Sequence, residues 1–144
     1  MADHPLLRLN PRHDRRLRAG HPWAYSNELA MQPEHRRWTP GAPVRIEGAE
    51  GWRYGTFMFN PHSLIAARFL DHDPAAEIGA DWVRARLAAA AALRAKVAPP
   101  EHHRLVHAEA DGLPGLVVDR FGDVAVVQAN TAGMDRLLPE IVRA

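Results

Sequence analysis

Cysteine is absent from the 144 residues, which excludes a disulfide framework, a thiolate metal site and a cysteine nucleophile. Lysine is almost absent: of eighteen basic residues only Lys96 is a lysine. The arginine excess suits forked contacts to phosphate, but the accompanying richness in alanine and proline points to a coding bias as its main cause. An excess of one charge is also missing, since eighteen basic residues stand against seventeen acidic ones. That balance excludes a broadly basic nucleic-acid coat but leaves room for a local basic patch, because a partner feels the field of the facing surface. No apolar run has the length of a signal-peptide core or a membrane span; a cytoplasmic location without a membrane partner is the expectation. Internal repeats and low-complexity tracts are absent too, apart from an alanine run in the second half.

What is present reads as a globular chain, 47% hydrophobic and 24% charged. Its length suits one well-packed domain or two small ones. Leu6–Leu9 has the alternation of a first strand. Asn10 as N-cap, Pro11 at the first helical position and Gly20 as C′ stop then predict a short helix, with Arg15, Arg16 and Arg18 near the negative end of its dipole. An extended segment follows from His21 to Glu28, since Pro22 disfavours a helical His21. From Pro40 the texture is β: Val44–Glu47 alternates, and turns at Gly48–Gly51 and Asn60–Ser63 bracket the aromatic-rich run Trp52–Phe59 before Leu64–Leu70. Four or five short strands with one helix predict a small barrel. Asp71-His72-Asp73-Pro74 marks the boundary.

The second half opens with a helix, ended by Pro99-Pro100. A meander over residues 104–130 follows, with a type II turn at Leu113-Pro114-Gly115-Leu116 and a glycine-containing loop at Arg120–Asp123. Its apolar runs are accounted for by burial on both faces. Leu137, Leu138, Ile141 and Val142 then form one apolar stripe at helical spacing.

Three constellations invite a chemical reading. Arg12, Arg15, Arg16 and Arg18, with Trp23 and Tyr25 just downstream, could pair phosphates and stack on unpaired bases; the alternative is a solvated helix face with both aromatics buried in the barrel. Gly20 stands where close backbone approach would help, but its C-cap role is explanation enough. Arg36, Arg37 and Trp38 form a second, weaker cluster on a loop. His102, His103 and His107 lie near Glu109, and His103 and His107 have a spacing that ligates metal on a helix; the region reads as strand, so no metal site is assigned. The acids Glu109, Asp111, Asp119 and Asp123 are assigned to turns rather than to acid–base catalysis. No catalytic residue is named.

The stretch AEADGLPGLVVDRFGD (108–123) resembles a segment of the bacterial SAM-dependent methyltransferases that modify a cytosine of large-subunit ribosomal RNA at C5. GHPWAYSNEL (20–29) similarly resembles the segment after the first helix in their N-terminal PUA domain. The resemblance implies an α+β fold: a small PUA-like RNA-binding barrel over residues 1–72, then an incomplete central domain over 73–144 with a helix at about 81–97, the meander, and a helix at about 134–142. It also implies a 23S-type ribosomal RNA partner and S-adenosylmethionine as cofactor of the intact enzyme. The RNA-contact residues it points to are Arg12, Arg15, Arg16, Arg18, Gly20, Trp23 and Tyr25.

No glycine-rich strand-to-helix unit and no cysteine are present, so the Rossmann-like catalytic domain and its cofactor site are expected to lie outside this chain. On that basis the chain alone neither binds the cofactor tightly nor methylates RNA. The competing readings are a free-standing PUA-type RNA-binding module or truncated product, a PUA domain of another RNA-modifying enzyme such as a pseudouridine synthase, and a structural or interaction domain. Target nucleotide and oligomeric state are not legible.

Overall fold

Alternation and turn chemistry set up the first half of the computed structural model, which describes residues 1–144 and divides into two units, Met1–Glu77 and Ile78–Ala144. In the first unit, β1 (Leu6–Arg8), β2 (Trp23–Tyr25), β3 (Ala42–Glu47), β4 (Arg53–Phe59) and β5 (Ile65–Asp71) form one mixed sheet in the order β1-β3-β4-β5-β2. Only β1 and β3 run parallel; the other pairs are antiparallel. The two outer strands are then tied together just beyond their ends. Leu9 bridges Leu29, Asn10 N–H donates to the Glu28 carbonyl (2.8 Å), and Ala30 N–H donates to the Arg8 carbonyl (2.8 Å). This closure leaves few unpaired edge groups and encloses a core built from Leu7, Leu9, Leu29, Val44, Ile46, Phe57 and Phe59. The first unit is thus a small α+β half-barrel.

The closure overrides the sequence signal for the first helix. Asn10 does not cap it: its side-chain amide donates to the carbonyls of Asn27 and Leu29. Pro11 and Arg12 form a turn instead, with Arg12 at φ 66°. The helix α1 is only Arg15–Arg18. Its end follows the glycine rule, since Gly20 has φ +82°. Gly20 N–H donates to Leu17 (3.0 Å) and His21 N–H to Arg16 (2.9 Å), the two bonds of a Schellman motif.

In the second unit, α2 (Ala80–Val97) precedes a three-stranded antiparallel sheet of β6 (His102–His107), β7 (Leu116–Phe121) and β8 (Val124–Ala129). Leu116 N–H closes the Leu113–Leu116 turn (2.9 Å), with Gly115 at φ +79°. Two expectations are corrected here. Burial of the meander on both faces fails at β8, an outer strand whose Val124 and Val126 are exposed, as is Phe121 before it. A single helix over 134–142 is replaced by α3 (Ala132–Arg136) and α4 (Leu138–Arg143), broken at Leu137. Pro139 sits in the first turn of α4, where its missing N–H is harmless and its ring blocks continuation from the preceding turn.

Candidate nucleic-acid interface

The predicted RNA-contact residues share the first unit, on α1, its entry turn and β2, but they fall into two groups. Arg16 and Arg18 are engaged internally. Arg16 Nε and Nη2 both donate to Glu28 Oε1 (3.1 and 2.9 Å), and its guanidinium lies 4.3 Å from the centre of the Tyr25 ring. Glu28 Oε2 in turn accepts from the Tyr25 N–H (2.8 Å). Arg16 therefore clasps α1 to β2. Arg18 Nε donates to Asp14 Oδ2 (2.7 Å), which also accepts the Tyr54 hydroxyl proton (2.8 Å). The Tyr54 bond, with Arg18 adding to it, holds the Asp14 carboxyl below its usual range, while burial pushes the Tyr54 phenol up.

Arg12 and Arg15, by contrast, are exposed and have no ion pair or hydrogen-bond partner. They are the cations of the cluster left for an outside anion. Trp23 and Tyr25 are neither buried in the barrel nor bare. Ala24 between them points into the core, so both rings face outward, half-buried, and Arg68 lies 5.0 Å over Trp23. One face of each ring thus carries a guanidinium. In the second cluster, Arg36 and Arg37 are exposed on a 3-10 turn (Pro33–Arg37), while Trp38 packs against His35 and Phe59.

Gly20 opens onto a cleft of about 440 Å³ that the sequence did not disclose. His21, Trp52, Arg53, Phe69 and His72 line it together with Arg18, and no carboxylate does. A Cβ at Gly20 would meet nothing within 4 Å, so the glycine is required by its positive φ rather than by crowding. The signal for the cleft was Trp52, a large aromatic immediately after a glycine-bracketed turn and outside β4.

In the second unit, two of the four acids singled out earlier, Asp111 and Asp119, are bound in ion pairs. Asp111 accepts Arg94 Nη1 (3.0 Å) and Nη2 (2.6 Å) and also the His107 N–H (2.6 Å). Asp119 pairs with Arg104 at 2.9 Å, which holds the Asp119 carboxyl below its usual range. The turn role assigned to Asp111 is therefore secondary to a long-range pair. His103 and His107 lie on a strand, where four residues span about 13 Å, beyond shared ligation of one ion.

Comparison with known proteins agrees with this architecture. Residues 7–72 match the family model of a PUA-like domain. That match lies wholly within the first unit. Across almost the whole chain, sequence similarity runs to proteins named ribosomal RNA large subunit methyltransferase. That of Alteromonas mediterranea is 33% identical over 139 residues, covering 94% of this chain and 34% of the relative. That of Deinococcus radiodurans is 31% identical over 133 residues, covering 88% and 32%. The chain spans about a third of the length of the curated relatives it matches. A solved structure from Streptococcus mutans, described as a SAM-dependent methyltransferase, superposes with a TM-score of 0.79 at 14% identity. It covers 96% of this chain and 36% of that one, and shows a shared fold.

The residues present do not form a cradle for S-adenosylmethionine. Such a cradle needs a parallel strand running through a glycine-rich turn into a helix. The only parallel pair is β1–β3. The link from β1 to α1 has no glycine, and β3 turns into another strand.

Proposed function

We propose that this chain is the RNA-binding part of a ribosomal RNA methyltransferase, acting with S-adenosylmethionine on a cytosine C5 of 23S-type RNA. The PUA-like domain holds structured RNA so that the target base reaches a catalytic domain contributed by sequence other than these residues. The observation that carries the reading is the pair of exposed, unpaired arginines, Arg12 and Arg15, at the turn and first helical position of the PUA-like domain. Phosphate contacts position RNA without reading its sequence, which is the task a docking domain has. The similarity to ribosomal RNA methyltransferases supplies the substrate class.

The decisive experiment titrates the intact chain with a ribosomal RNA fragment at several salt concentrations, comparing it with Arg12→Ala/Arg15→Ala. Wild-type affinity should fall steeply with salt. The double variant should bind more weakly and lose about one unit of log–log salt slope per phosphate contact removed. No binding at low salt, or an unchanged slope in the variant, overturns the reading. Replacing Arg16 or Arg18 would be a poor test, because both hold the fold together.

A further inference from the structure

The cleft beside Gly20 has a composition that phosphate docking does not require. One wall is made of fixed rings. Phe69 packs edge-on against Phe57 (5.5 Å between centroids) and lies 4.7 Å from His72. His21 is held by the Trp23 N–H, which donates to its Nδ1 (3.2 Å), and by an edge contact with the Trp23 ring. Trp52, on the other side, is 65% exposed, and its indole makes no hydrogen bond or ring contact. A tryptophan ordinarily buries its ring or finds a partner for its N–H, so an indole left open at the mouth of a ring-lined cleft is an unfilled stacking surface. The lining cations are Arg18 and Arg53; Asp14 and Glu50 pair with Arg18 and Glu47 pairs with Arg53, and none of these acids lines the cleft.

We propose that this cleft takes one unpaired nucleobase of the bound RNA, stacked on Trp52, with Arg53 at its phosphate. The proposal rests on the RNA-binding reading and adds a ligand to it: a single-stranded nucleotide, rather than a duplex whose base faces are already covered by their neighbours. Stacking on an aromatic ring is available to every base, so the site selects strandedness and not sequence. Gly20 at the rim lets the backbone of the incoming strand pass without meeting a side chain.

The test is fluorescence anisotropy of the intact chain with a labelled oligouridine and with a duplex RNA of equal length. The variants are Trp52→Ala, Trp52→Phe and Arg12→Ala/Arg15→Ala. Trp52→Ala should lower the ratio of oligouridine to duplex affinity about tenfold, and Trp52→Phe should restore most of it. The exposed position of Trp52 makes folding of both variants checkable by an unchanged thermal melt. If the arginine variant weakens binding but Trp52→Ala leaves the ratio unchanged, the cleft proposal fails while RNA docking stands. If Trp52→Ala weakens both RNAs equally, the proposal also fails. Absence of binding to either RNA at low salt removes the RNA reading and the cleft with it.

Discussion

Asp14 shows how one carboxylate can organise a surface. It accepts both the Tyr54 hydroxyl and Arg18 Nε, so α1 is anchored to β4 through three side chains. Its folded-state pKa is lowered, chiefly by Tyr54 and then by Arg18. A group lowered in this way contributes stability that is fully present above its unfolded value and is lost as pH falls through its folded one. Tyr54→Phe should therefore cost stability at neutral pH, and the cost should shrink as acid protonates Asp14 in both proteins. Thermal melts of the two proteins across acid pH check this; a constant difference would show that Tyr54 acts through packing alone. Asp111 is the stronger case. Its side chain is 5% exposed and the facing Arg94 side chain 15%. Asp111→Asn leaves that guanidinium buried without its counter-charge, and the expected loss is about 3 kcal/mol in urea unfolding.

At the scale of the element, local signals governed wherever the chain answers only to itself. Gly20 ends α1 and Pro114-Gly115 turns β7 away from the preceding 3-10 turn because positive φ at those positions depends on neighbours in sequence. Signals failed where a distant partner outbid them. Asn10 is a good N-cap by type, but barrel closure brings the Asn27 and Leu29 carbonyls to it first. The mostly apolar β8 reads as buried on both faces, yet position in the sheet, which no local pattern encodes, leaves it at the edge. The candidate RNA-contact residues divide the same way: a run of arginines is visible in the sequence, but which of them are already neutralised depends on Glu28 and Asp14 as placed by the fold. Gly55 gives the sharpest test at this scale. It has φ +107° at the irregular start of the β4–β5 pairing, and a Cβ there would sit on the Asp71 carbonyl oxygen. Because that neighbour is backbone in a paired strand, Gly55→Ala should cost ~2 kcal/mol or more, whereas Gly51→Ala, which meets no atom within 4 Å, should cost only its backbone strain. Parallel denaturation of the two variants separates crowding from strain; equal losses would refute the crowding account.

For the molecule as a whole, the question is whether its two units could supply chemistry as well as binding. Both sheets are accounted for strand by strand, and none leads from a parallel strand through a glycine-rich turn into a helix, the arrangement that holds a nucleotide-like cofactor; the single Gly79 before α2 follows the antiparallel β5. The likeness to methyltransferases extends over nearly all of this chain but only about a third of theirs, so their activity is consistent with residues these two units do not contain. No helix here is long and apolar enough to cross a membrane, and the surface features from which RNA docking is proposed are Arg12, Arg15 and the Trp52 cleft. The expectation is that isothermal calorimetry of this chain with S-adenosylmethionine shows no binding at about micromolar affinity, and that saturating cofactor leaves RNA affinity and its salt slope unchanged. By linkage, a cofactor bound tightly and coupled to RNA would have to shift RNA affinity by the same factor by which RNA shifts its own. A measurable shift would therefore place part of the cofactor site on these residues and contradict the division of labour argued from the two sheets.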